Sequence, residues 1–244
     1  MTVNISAYMS SIRPYRWKAI DEMLKNSRLS YEIVIVGPVE PVESLPSNVS
    51  FYKSDVKPNQ CFHTAAVYSK GETLLQIVDD IEYEDGGIYS MFDEVSKSDN
   101  IMATCHYHLN GKSQITKNNI AGNDQLLCHL PTLPVCGLFT REAYFQHLSL
   151  DRRFNGVMGE LDLYMRLRVN GYTTKIVDYY CNESQSYQKQ EKTSLCQKYW
   201  NHDRPLFVKL WTTNLREGSC LYPIRQDIVR PFKNTLLLDV EQNI

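Results

Sequence analysis

No apolar stretch in this 244-residue chain exceeds four residues; the longest are residues 33–36 and 65–68. A helix that crosses a bilayer needs about 20 such residues, so no membrane span is expected. The opening Met1-Thr2-Val3-Asn4-Ile5 has no basic stretch ahead of an apolar one, so no secretory signal peptide is expected either. A surplus of charge is also missing: 26 Lys+Arg stand against 28 Asp+Glu, a net charge of −2. That balance argues against a dedicated nucleic-acid binder, which carries a basic excess. The seven cysteines (61, 105, 128, 136, 181, 196 and 220) form no C-x-x-C pair. An odd, unpaired set reads as reduced, mostly buried thiols of a cytoplasmic protein. Internal repeats and low-complexity segments are absent too. What remains is 43% hydrophobic and 22% charged, the balance of a folded globular chain. The length suits one large domain or two small ones.

The order of patterns predicts an α/β sheet with parallel strands at its centre. Residues 4–9 read as a strand, and 14–26 as a helix with Pro14 in its first turn. The β-branched run 31–36 stops at Gly37-Pro38; residues 38–47 read as a loop and 49–53 as a third strand. A helix over 60–69 closes at Gly71, and the apolar strand 73–78 runs into Asp79-Asp80. Further on, a helix is expected at 88–96 and a hairpin of 101–110 with 113–120 around Asn110-Gly111. A strand at 133–139, helices at 141–147 and 159–169, a stop at Asn170-Gly171 and a last strand at 173–177 follow. From Cys181 the chain turns polar and reads as a flexible or acceptor-side segment. Residues 198–214, with Trp200, Phe207 and Trp211, are expected to pack back onto the body.

Two motifs carry possible chemistry. Asp79-Asp80-Ile81-Glu82 places three carboxylates in four residues directly after a buried strand. Ligands of open α/β sheets bind beyond the carboxyl ends of the strands. Hard oxygen donors there suit Mg²⁺ or Mn²⁺ with substrate phosphates, although a solvated acidic turn opening a helix would look the same. Gly159-Glu160-Leu161-Asp162-Leu163-Tyr164-Met165-Arg166 is the second. Asp162 and Arg166 stand at i and i+4, the spacing of an ordinary helical ion pair. Glu160 at the helix start is also where a carboxylate complements the helix dipole. His106-x-His108 puts two rings on one strand face, without a third ligand nearby, and reads as structural.

Taken together, these motifs resemble the GT-A family-2 glycosyltransferases. The matching residues are Ser6-Ala7-Tyr8 in the first strand, Ser69-Lys70-Gly71-Glu72, the acidic motif, and the helix from Gly159 to Leu167 with Gly171-Tyr172 after it. Gly137-Leu138-Phe139-Thr140-Arg141 and Arg153-Phe154 resemble the family's acceptor-site lead-in, and the likeness covers roughly residues 3–180. It implies a GT-A fold: a Rossmann-like, mixed, mostly parallel central sheet flanked by helices, with a C-terminal helical extension. Residues 1–180 would form the transferase domain, with a nucleotide-sugar half to about 100 and an acceptor half beyond, and 181–244 would pack on it. The activity implied is inverting, metal-dependent transfer of a sugar from a nucleotide diphosphate sugar, UDP-linked by preference, to an acceptor hydroxyl of a glycan. Donor binding would fall to Ser6, Ala7, Tyr8, Asp79, Asp80 and Arg166, with Tyr8 stacked on the base. Asp80, Glu82 and His202 would hold Mn²⁺ or Mg²⁺, and Glu160 would act as general base with Asp162 beside it.

The chain departs from the family's pattern at four places. Gly37-Pro38 stands where an Asp usually reads the base, and Ile81 at the third position of the acidic motif. Glu160 occupies the Asp position of the family's E-D pair, and His63 a frequent Asn position. These departures keep a rival of another class, a weakened homologue that binds nucleotide or glycan without turnover. A nucleotidyltransferase would want a Gly-rich basic phosphate loop, and Ser10-Ser11-Ile12-Arg13-Pro14 has no glycine.

Overall fold

The structure is a computed structural model that describes residues 2–113, 134–147, 149–184, 195–211 and 227–232. Strand β1 (Ile5–Ser10) pairs in parallel with β2 (Tyr31–Gly37) on one side and β4 (Thr73–Gln76) on the other; β3 (Val49–Lys53) adds to β2. Ile33 through Gly37 are buried one after another, the run expected of a strand covered on both faces. A 3-10 turn (Pro14–Arg16) and α1 (Trp17–Asn26) follow β1, with Trp17, Ile20 and Leu24 making the helix's buried stripe. Helix α2 (Pro58–Tyr68) begins on its proline and packs against β1 and β2. Beyond β4 the sheet continues through β8 (Leu138–Thr140), β6 (Ile101–Leu109), β9 (Thr173–Glu183) and β5 (Ile81–Tyr83). Here only β6 and β9 are parallel; β8 and β5 run antiparallel to their neighbours. Helix α3 (Gly87–Ser96) packs on β6 and β9, and α4 (Arg141–Gln146) starts on Thr140, whose side chain accepts from Ala143 N at 3.2 Å. The mixed, mostly parallel sheet flanked by helices is the expected fold class.

Helix α5 (Gly159–Val169) has the bounds the sequence predicts, and Gly171 at φ +92° ends it. Its residues Leu161 through Leu167 are all buried, so it lies inside the molecule rather than on it. The C-terminal helix α6 (Leu195–Leu210) buries Phe207 and Leu210, with Trp211 following, and contains Pro205. Asn110 (φ 53°) and Gly111 (φ 73°) form the expected turn, joining β6 to β7 (Lys112–Ser113). The rest of that hairpin's second strand, the polar run 185–194 and residues 212–214 lie outside the described residues.

Three expectations are corrected. The helix read over 14–26 splits at Trp17, the first three residues taking the tighter 3-10 form. Ile81–Tyr83, for which a solvated acidic turn is the alternative to a cation motif, is a strand, because Ile81 and Tyr83 bury on one face and the ladder to β9 satisfies its backbone. β9 runs on to Glu183, six residues past the expected end at Val177, because the pairing with β6 resumes after an irregularity at Cys105/His106.

Gly37 closes β2 against the Ser11 backbone, and a Cβ there would overlap the Ser11 carbonyl. Gly37→Ala is therefore expected to destabilise the fold by about 1–3 kcal/mol and to shift the Ser11–Arg13 loop. Chemical denaturation of both proteins checks it; coincident midpoints would mean that the loop yields freely.

Candidate active site

The carboxyl ends of β1 and β4 are tied by one buried carboxylate. Asp79 Oδ2 accepts from Ser11 Oγ at 2.7 Å and from Ile12 N at 3.2 Å, while Arg13 Nη1 donates to Oδ1. Ser11 Oγ in turn accepts from Trp17 Nε1 at 2.7 Å and Arg13 N at 3.2 Å. Arg13 is buried and also stands 3.6 Å from Asp80 Oδ2. Asp79 is thus occupied in building the loop, and Asp80 is the motif's carboxylate beside the site.

Glu82 goes elsewhere. Its side chain is 62% exposed and pairs with Arg16 Nη2 at 2.7 Å, while Arg16 Nε donates to the Asp79 carbonyl at 3.2 Å. Strand alternation explains the split: Ile81 and Tyr83 face the core, so Glu82 must face out. The exit of β9 supplies a carboxylate that the sequence reading missed. Glu183 accepts from Tyr107 Oη at 2.6 Å, and the neighbouring Ser184 N donates to the Asp80 carbonyl at 2.9 Å.

Glu160 enters from α5. Met158 precedes the helix at φ +62°, a left-handed conformation uncommon for a side-chain-bearing residue. The loop before it is held by buried Asp203 of α6, which accepts from Asn155 N, Gly156 N and Val157 N at 2.9–3.1 Å. Gly159 lies against Asn59, whose side chain would overlap a Cβ there. Gln76 Nε2, at the end of β4, donates to Glu160 Oε2. Burial and then the Glu183 charge push the Glu160 carboxyl up to about 7, and burial and then Asp80 do the same for Glu183. The buried Cys136 thiol, pushed up by burial first, also feels Glu160, Cys181, Glu183 and Asp80.

Several expected site residues lie elsewhere. Ser6, Ala7 and Tyr8 sit inside β1, all at 0% exposure, below its carboxyl end. Ser6 Oγ donates to Glu32 at 2.6 Å and accepts from Gly71 N at 2.7 Å. The Tyr8 ring packs edge-on against Phe62 and Tyr144, and so presents no face for a nucleotide base. The loop at the strand's end is Ser11-Ile12-Arg13, which sequence reasoning passed over for want of glycine. Asp162 and Arg166 are likewise corrected. Arg166 Nε donates to Asp162 Oδ2 at 2.9 Å, Trp211 Nε1 donates to Oδ1 at 2.9 Å, and the guanidinium also donates to the His147 and Ser149 carbonyls. Asp162 is fully buried, and this cluster clamps α5. His202 is 55% exposed, with Nδ1 2.7 Å from Asp203 Oδ1. Asp80, Glu82 and His202 do not converge, and among the described residues no three His, Cys, Asp or Glu side chains are arranged to hold a metal ion. His63 is buried and pushed down to about 4 by that burial, with Nδ1 3.2 Å from Tyr144 Oη. Cys61, Cys105, Cys136 and Cys181 are free and buried, as expected.

The sheet order, the acidic exit of β4 and the buried α5 make this a GT-A-like fold. No family model and no curated protein matches the chain. Among solved structures, S. aureus TarS 1–349 aligns with a TM-score of 0.54 and 12% identity, over 88% of this chain and 67% of that one. TarS 1–349 in complex with UDP aligns at 0.51 and 13%, over 75% of this chain and 61% of that one. At these identities the likeness is one of fold. Among the described residues no helix is long and apolar enough to cross a membrane.

The raised carboxyls fix a pH dependence. Both are lifted from 4.5 to about 7, so the folded state favours their protonated forms. Their contribution to stability is full below pH 4.5 and is lost as pH rises through 7. Glu183→Gln should therefore match wild type near pH 4.5 and exceed it at pH 8 by on the order of 2 kcal/mol. Thermal unfolding across that range tests this; parallel curves for the two proteins would refute it.

Proposed function

We propose that this chain transfers a sugar from a nucleotide diphosphate sugar to a hydroxyl of an acceptor glycan, with inversion at the anomeric carbon. The observation that carries the reading is a set of carboxylates near the carboxyl end of β4: Asp80 beside the buried Arg13, Glu160 at the start of α5 on Gln76, and Glu183, which acts on Glu160 and feels Asp80. Support for UDP as the nucleotide comes from the fold likeness to TarS, which has been solved with UDP.

The reaction poses two problems of charge. A nucleoside diphosphate leaves with excess negative charge, and the acceptor hydroxyl is a poor nucleophile until its proton is taken. Asp80 is a hard oxygen donor in a site crowded with like charge, and the lifted Glu183 registers that crowding, which favours a divalent cation that takes its remaining ligands from the donor and water. Mn²⁺ or Mg²⁺ held by Asp80 and diphosphate oxygens would neutralise the leaving group. Arg13 adds fixed positive charge next to Asp80. Glu82 and His202 have no part in this set, being turned to Arg16 and Asp203.

Glu160 takes the acceptor proton as the new bond forms opposite the departing diphosphate. A single displacement of this kind inverts the sugar. Its carboxyl, lifted to about 7, is matched to work near neutral pH, where a base must be ionised yet still basic. Burial supplies that match, with the negative Glu183 adding to it.

Two variants test the two roles. Asp80→Ala should abolish cation-dependent affinity for the nucleoside diphosphate while the protein stays folded, because the residue sits at a strand exit. Calorimetric titration of UDP with and without Mn²⁺ decides, and equal affinities for both proteins would sink the assignment. Glu160→Gln preserves shape and removes basicity, so donor affinity should persist while turnover drops by about 10²-fold or more. Steady-state transfer beside donor titration checks it. Wild-type turnover in that variant would put the base elsewhere, and donor binding without turnover by the wild-type protein would leave it a binder of nucleotide sugars.

A further inference from the structure

Gln76 is a polar residue in the apolar run Thr73-Leu74-Leu75-Gln76-Ile77-Val78, and it is buried to 1% exposure. A buried amide needs partners on both its oxygen and its nitrogen. Tyr8 Oη donates to Gln76 Oε1 at 3.0 Å, its register partner across β1 and β4. Tyr164 Oη, on α5, donates to the same oxygen at 3.4 Å. Tyr164 Oη also accepts from the Gly137 N–H at 3.1 Å. A backbone N–H can only donate, so the phenol's own proton is left for Gln76. With both phenol protons aimed at Oε1, the amide must present Nε2 to Glu160, where its hydrogen bond to Oε2 is found.

We infer that Gln76 is the positioning residue for Glu160: a chain of donors polarised in one direction, from Gly137 N–H through Tyr164 and Gln76, holds Oε2 as an acceptor and leaves Oε1 to meet the substrate proton. The inference rests on the general-base reading of Glu160. The chain spans β1, β4, β8's lead-in and α5, so the carboxylate's position is set by four parts of the fold rather than by its own rotamer.

A donor aimed at a carboxylate favours its charged form, against the effect of burial. The groups facing Glu160 are otherwise unhelpful to that charge. Glu183 on β9 repels it, and Tyr8 on β1, Tyr164 on α5 and Cys136 before β8 are uncharged acids whose ionisation burial suppresses. Gln76 is thus the polar group in hydrogen-bond contact that opposes the burial of the ionised base.

The test follows Glu160 directly. Protein labelled with ¹³C at the glutamate side-chain carboxyl is titrated by NMR, the Glu160 signal being the one that Glu160→Gln removes. Gln76→Met deletes the donor at nearly constant length, and Gln76→Asn withdraws it by one methylene; the second guards against loss of folding in the first. In either variant the Glu160 midpoint should rise by about one to two pH units, the size of one hydrogen bond to a charged group. Transfer by the variants should fall by about tenfold or more at pH 7, with donor KM unchanged, and should recover as pH is raised. A folded variant whose midpoint coincides with wild type overturns the inference, as does a loss of activity that raising the pH leaves in place. Should Glu160→Gln itself transfer sugar normally, the general-base reading fails, and the NMR midpoints still decide whether Gln76 holds the carboxylate.

Discussion

Asp79 ties the end of β1 to the end of β4, and the site is arranged around that tie. A buried carboxylate is costly unless its oxygens are engaged, and here a hydroxyl, a backbone N–H and a guanidinium engage them. The pairing also gives the buried Arg13 its nearest counter-ion, with Asp80 a second at 3.6 Å. The 3-10 turn begins immediately afterwards, and Trp17 of α1 reaches back to Ser11, so the first crossover of the sheet leaves from a fixed point. Asp79 is committed to this structure, while Asp80 stands 3.6 Å from the same guanidinium and nearer the other carboxylates.

The rest of the site concentrates negative charge where the chain would be more stable without it. Asp80, Glu160 and Glu183 come from β4, α5 and β9, and the sheet order brings those exits to one side. Such crowding persists in proteins where a ligand relieves it. Were the proposed donor to bind, its diphosphate would bring more negative charge still, which would make a cation its economical companion. Among the described residues, Arg13 supplies positive charge beside Asp80 and Glu183.

Much of this was legible in the sequence. Alternation and apolar runs located β1 through β4, and the caps and stops of α5 placed its ends at Gly159 and Val169. The acidic motif and Glu160 stood out because carboxylates directly after a buried strand and at a helix start are local signals. What could not be read was which oxygens were already taken. Asp162 resembles a candidate catalyst until Trp211 and Arg166 claim it, and the sequence gives no sign that Asp203 takes three backbone N–H groups. Tyr8 followed a family pattern by position, but burial between Phe62 and Tyr144 removes it from any ligand. Glu183 escaped because the polar run from Cys181 hides the continuation of β9, which is set by pairing with β6 and β5. Gln76 did leave a trace: one amide inside a buried apolar strand needs a reason.

The C-terminal helix is the least expected contributor to the site. An appendage would touch the body through apolar side chains alone, as Phe207 does with Phe154. α6 goes further, because Asp203 satisfies three consecutive backbone donors of the loop that turns into α5. Trp211 then fixes Asp162, two residues beyond Glu160, from the same side. Left alone, a loop with a left-handed Met158 would relax to a commoner conformation and carry the first turn of α5 with it. The Glu160 carboxyl is therefore held from two directions: by Gln76 from the sheet, and by α6 through the loop behind it. A carboxylate at a helix start is common; what distinguishes this one is that both ends of its support are buried and hydrogen-bonded.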